Sequence, residues 1–140
     1  VADPNVIAAA LAAQVTEFAG LRSLAQARDS VNPPCAVVLP GASPFLSYGD
    51  TMDGALSMRM QILVLITDAA PLEMSQRALN AYLGIGENQD QSIPNAIQMD
   101  PTLGGTVHWC VPLTADSYGR IDYAGVIYFG ARINCSVGTI

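Results

Sequence analysis

"YGDTMDGALSMRMQILVLIT", Tyr48–Thr67, contains the run whose reading decides the fold. From Leu56 every even position to Ile66 is apolar: Leu56, Met58, Met60, Ile62, Val64 and Ile66. The odd positions begin Ser57, Arg59 and Gln61, then turn apolar at Leu63 and Leu65. A helical template meets Arg59 or Gln61 wherever it is placed, so a period of two fits better than a period of 3.6. The run is expected to be one long strand. One of its faces should be buried throughout, the other wet at its start and buried at its end. At about 3.3 Å per residue it would span roughly 40 Å, so one end is expected to project beyond the core. No uninterrupted apolar stretch approaches the roughly 18 residues of a membrane span, so no membrane role is expected.

Upstream lies "GASPFLSYGDTMDG", Gly41–Gly54, a Gly, Ser and Pro-containing connection of a length that is commonly functional or partner-bound. Before it, "CAVVLP" (Cys35–Pro40) reads as a short buried strand, and Pro33 and Pro34 keep "DSVNPP" out of a central ladder position. "LRSLAQAR" (Leu21–Arg28) either extends a helix or forms an edge strand, and the edge strand is favoured after Gly20. The chain opens with a helix. Asp3 can cap it, Pro4 suits its first turn, and Ile7, Leu11, Val15 and Phe18 share one stripe.

Downstream, Asp68–Pro71 should cap a second helix that runs to about Leu83. Its buried stripe is read as Leu72, Ser75 or Gln76, Leu79 and Tyr82–Leu83. Ser92 should cap a third helix, Ile93–Met99, which stops before Asp100-Pro101. Two long alternating strands follow, Val107–Ser117 and Gly125–Val137, with "SYGRIDYAG" between them as a hairpin tip. The predicted order is α-β-β-β-α-α-β-β. This is a single two-layer α+β domain over 1–140, with a largely antiparallel or mixed sheet packed against two to three helices.

Composition bounds the function. Apolar residues make up 51% and charged residues only 13%, well below the usual share of about 25%. So little charge predicts burial beyond what a lone subunit needs, as in an oligomer. The net charge is −6, and all six cations are Arg. With no basic run, a grip on nucleic-acid phosphates is disfavoured. The start has no basic n-region, so no secretory signal is expected. Cys35, Cys110 and Cys135 are odd in number and widely spaced, which fits reduced thiols and a cytoplasmic origin rather than a disulfide or zinc framework. The sequon at Asn134–Ser136 lies in a predicted strand and reads as coincidence.

No catalytic constellation stands. His108 is the sole histidine, so no multi-His metal site exists. Cys110 is two residues away on the same predicted strand face, where parallel side chains make a poor nucleophile–base pair. Asp50 and Asp53 lack further acids at the alternating spacing of a calcium loop and read as solvated loop acids. "GIG" at Gly84–Gly86 follows a helix instead of a strand, "GASPF" lacks the second Gly of a nucleophile elbow, and "PTLGGT" lacks the Lys of a phosphate loop. Neither a cofactor nor enzymatic activity is expected.

Five segments occur in series: "DSVNPPCAVVLPG", "YGDTMDGALSMRMQILVLI", "RALNAYL", "SIPNAIQMDPTLGGTV" and "YGRIDYAGVIYFGARINCSV". Together they resemble the tail terminator proteins of long non-contractile-tailed bacteriophages, also known as minor tail or head–tail connector proteins. The resemblance runs from about residue 4 to residue 137 and includes no catalytic motif. It implies a structural virion subunit, made in the host cytoplasm and built into a closed ring, usually a hexamer, at the neck. Such a ring caps the tail-tube protein on one side, meets the head-completion protein on the other, and lets DNA pass through its lumen without specific binding. A tail-tube subunit or a head-completion (stopper) protein of the same virion is the alternative. The family offers no site residues to carry over, so position alone selects interface candidates. Phe45, Leu46, Tyr48, Asp50 and Asp53 are taken from the 41–54 connection. Tyr118, Arg120, Asp122 and Tyr123 are taken from the hairpin tip, because Arg and Tyr are enriched at interfaces.

Overall fold

In chain order the elements are α1 (Pro4–Ala19), β1 (Ser23–Leu24), β2 (Cys35–Pro40), β3 (Leu46–Tyr48), β4 (Leu56–Thr67), α2 (Leu72–Leu83), α3 (Ile93–Met99), β5 (Trp109–Tyr123) and β6 (Val126–Thr139). They come from a computed structural model that describes residues 4–19, 23–24, 35–40, 46–48, 56–67, 72–84, 92–103, 105, 107–123 and 125–139. The strands form one sheet in the order β1-β2-β4-β6-β5, with β3 also paired to β4. β1 runs parallel to β2, and the other pairs are antiparallel. This is the expected α+β class, with one strand more than the expected order. The three residues of β3 fall inside the 41–54 connection, too short a strand to show any period.

β4 is the spine. All twelve of its residues pair with β6, from Leu56↔Thr139 to Thr67↔Tyr128. On its other side it is shared by β3 at Leu56–Met58 and β2 at Met60–Leu65. Hence β4 does not project as expected, because β6 is long enough to match it. The projecting piece is the β5–β6 hairpin. Its rows Asp122↔Ile127 and Tyr123↔Val126 lie past the last β4–β6 row.

The even side chains of β4 lie under the helices, as their alternation predicts. Met58, Met60, Ile62, Val64 and Ile66 join Phe129 to Val137 of β6 and the apolar stripes of the helices in one core. Ile7, Leu11 and Val15 of α1 are fully buried there, with Leu79 of α2 and Ile93 and Ile97 of α3. Two polar groups lock the helix layer. Gln14 Nε2 donates to the Ala96 carbonyl at 2.8 Å, joining α1 to α3. The buried Ser92 hydroxyl donates to the Gly84 carbonyl and accepts from the Asn95 N–H, joining the end of α2 to the start of α3. A buried polar group is tolerated only when paired in this way.

The opposite sheet face changes character along β4. Ser57 and Arg59 are exposed and Gln61 half-buried, whereas Leu63 and Leu65 are buried with Cys35, Val37 and Tyr128 in a second cluster. The wet start and dry end match the sequence pattern.

β5 departs from its predicted reading. It runs on to Tyr123 and β6 starts at Val126, so most of the expected nine-residue tip is strand, and Gly125 takes φ 82° without a Cβ penalty. "SYG" is not the turn. It is a bulge between Asp116 and Gly119, with positive φ at Ser117 and Gly119. A second bulge lies between Pro112 and Thr114. Each inserts one residue and so switches which parity faces the helices. Pro112 is tolerated because β5 is an edge strand and is bulged there.

Candidate functional site

The two groups of predicted interface residues lie at opposite ends of β4. Phe45, Asp50 and Asp53 fall outside the described residues. Leu46 and Tyr48 are in β3, paired with Met58 and Leu56. Tyr118, Arg120, Asp122 and Tyr123 belong to β5, toward the Thr67 end of the sheet, roughly 35 Å of strand away. The two tyrosines of this group make contacts with the rest of the fold. Tyr118 sits edge-on to Phe129 at 5.5 Å and its hydroxyl donates to Asn80 Oδ1 at 3.1 Å, which clips the bulge to α2. Tyr123 is half-buried against the second apolar cluster. Arg120 and Asp122 are exposed, in register with Phe129 and Ile127.

Besides Val6, Met74, Met99 and Tyr118, large apolar side chains are exposed at both ends of the β5–β6 hairpin. At one end of the hairpin, Trp109 (39%), Val111 (40%) and Leu113 (57%) remain open to solvent. The Trp109 indole lies over Gly138, where a side chain would collide with it. At the other end, Val126 (51%) and Ile127 (55%) are open. The alternation of Val107–Leu113 suggested a core face. In the folded chain Cys110 takes the core side and the Trp109–Val111 face turns outward.

Between these two ends the sheet face opposite the helices holds a pocket of about 440 Å³, lined by both polar and apolar groups. Cross-strand rows build it. Arg59 aligns with Ser136 and Val111, Gln61 with Asn134 and Thr114, and Leu63 with Arg132 and Asp116. Asn134 Nδ2 donates to Thr114 Oγ1 at 3.1 Å and to Asp116 Oδ2 at 3.0 Å. The sequence reading missed Arg59 and Arg132 as a pair because they are far apart in the chain. The available signal was the polar exceptions at alternate positions of two adjacent strands.

His108 and Cys110, weighed as a nucleophile–base pair and set aside in the sequence, differ in burial. His108 is exposed and precedes β5, its N–H bound to the Gly138 carbonyl at 2.8 Å, while Cys110 is buried. Cys135 is hydrogen-bonded to Cys110. That bond, burial and the charge of a Cys110 thiolate all push the Cys135 thiol well above its usual range, so it stays protonated at neutral pH. Among the described residues no group of three or more His, Cys, Asp or Glu is placed to hold a metal. Among the same residues no helix is long and apolar enough to cross a membrane. No protein-family model matches the chain, and no curated protein matches it.

Proposed function

We propose that the chain is a ring-forming tail terminator: a structural subunit at the virion neck that caps the tail tube and joins it to the head-completion protein. The series of sequence segments supplies the assembly. One structural observation supports the ring: exposed apolar side chains sit at both ends of one hairpin, Trp109, Val111 and Leu113 at one end and Val126 and Ile127 at the other. A head-to-tail contact needs two different surfaces on each subunit, and it closes into a ring when the rotation allows. Side-chain patches suit that contact better than strand addition along β5, since Pro112 and two bulges interrupt its free edge. The acidic balance of −6 per subunit fits a lumen that repels phosphates.

The test is assembly with partners. The protein mixed with tail tubes should appear by negative-stain microscopy as a single ring on one tube end, and light scattering should give a closed oligomer. Tubes that lengthen with added protein would instead make it a tube subunit. Binding only to the head side would make it the stopper.

A further inference from the structure

Arg132 is in a peculiar position. Its cross-strand partner is Asp116, the natural counter-ion. Yet Asp116 is engaged elsewhere: Oδ2 accepts from Asn134 Nδ2 at 3.0 Å and Oδ1 from Ser117 Oγ at 3.0 Å. Arg77 and Glu73 form an ion pair on the surface of α2, far in sequence from Arg132. Arg132 Nε is shut off from solvent and has no hydrogen-bond partner among the described residues. A buried, unpaired donor on a charged group is costly and calls for an acceptor.

The pocket beside it supplies the setting. Arg59 brings a second guanidinium one strand away, and Gln61, Thr114 and Asn134 add amide and hydroxyl groups. We propose that this pocket is a carboxylate-binding site, with the Arg132 and Arg59 guanidiniums as its charged donors and the solvent-closed Arg132 Nε engaged once that side chain turns toward the ligand. Among the described lining residues, two guanidiniums against the one Asp116 carboxylate leave a single positive charge, which balances a carboxylate and not a phosphate dianion. The pocket also exceeds the size of a bare carboxylate, leaving room for the chain that carries it. That carboxylate is either free in solution or an acidic side chain of a second copy, in a chain with twelve acids and six cations.

The test reads the arginine Nε–H resonances of 15N-labelled protein during titration with acetate at constant ionic strength. Arg132 should shift saturably, and Arg59→Gln, at an exposed position, should weaken binding about tenfold, the loss of one charge-assisted hydrogen bond. In parallel, light scattering on Arg59→Gln and Arg132→Gln distinguishes the sources. Saturable acetate binding with unchanged mass identifies a free carboxylate. No acetate response with a mass lowered in both variants identifies a second copy. Neither response, or phosphate binding tighter than acetate, overturns the site. If Arg132→Gln fails to fold, Arg59→Gln decides alone. A chain that binds acetate but never caps tubes would keep the site and lose the ring.

Discussion

Two glycines of β6 show how unequal the same added methyl can be. A Cβ on Gly130 would collide with the Val64 carbonyl in the adjoining strand, and backbone cannot step aside. Gly130→Ala should therefore cost about 2–3 kcal/mol, read as a lower urea midpoint. A Cβ on Gly138 meets the Trp109 indole first, a half-open side chain that can swing away. Gly138→Ala should cost less than about 1 kcal/mol and red-shift Trp109 fluorescence as the ring loses its seat. The thiols give a pH prediction. The folded state holds the Cys135 proton to higher pH than the unfolded chain, whose thiol titrates near 9.0. The unfolded state thus releases its proton first, and stability is full below about pH 9 and falls above it, by about 1.4 kcal/mol per pH unit for this group. Burial raises Tyr82 as well, from 10.0, which steepens the fall in the same direction. Urea midpoints at pH 7 and pH 10 check this, and Cys135→Ala should flatten the difference.

At the scale of elements, one serine holds two helix ends. Ser92→Ala removes the N-cap of α3 and strips the Gly84 carbonyl of its donor, so it should cost about 1–2 kcal/mol in urea unfolding. That cap was legible in the sequence, because Ser followed by a helical run with Pro94 in its first turn is a local signal. β4 was legible for a similar reason: Ser57, Arg59 and Gln61 against Met58, Met60 and Ile62 report both the period and the gradient of the outer face. β5 was not. Trp109 and Val111 alternate like a core strand yet face outward, and the two bulges after them each switch parity again. Gly119 looked like a turn although it closes a bulge, and the true turn at Gly125 carries a weaker signal. The pocket was invisible for a different reason. Arg59 and Arg132 come to line one pocket only through the β4–β6 register, in which Leu63 opposes Arg132. Register is a property of two strands together, and neither strand's own pattern states it.

For the whole molecule, the arrangement of patches makes the geometry of association testable without any partner. The Trp109–Val111–Leu113 patch and the Val126–Ile127 patch share no residue and lie at the two ends of one hairpin. In a head-to-tail contact each subunit offers one patch to each neighbour, whereas a two-fold contact would bring like patches together. Val111→Asp spoils one end and Ile127→Asp the other. Both side chains are exposed in the single chain, so neither change should unfold it, and thermal melts should stay within a few degrees of the parent. Alone, each variant retains one intact patch and one spoiled one, so every possible head-to-tail contact includes a spoiled surface and each should remain monomeric. Mixed, the intact Trp109 end of Ile127→Asp meets the intact Ile127 end of Val111→Asp. One contact forms, and the pair then presents only spoiled ends. Light scattering should therefore read monomers for each variant, dimers for the equimolar mixture, and the closed oligomer for the parent chain alone. A parent oligomer that survives both substitutions would move the contact off these patches. An oligomer lost to one variant, not restored to a dimer by the other, would mean that like surfaces meet and the association is two-fold.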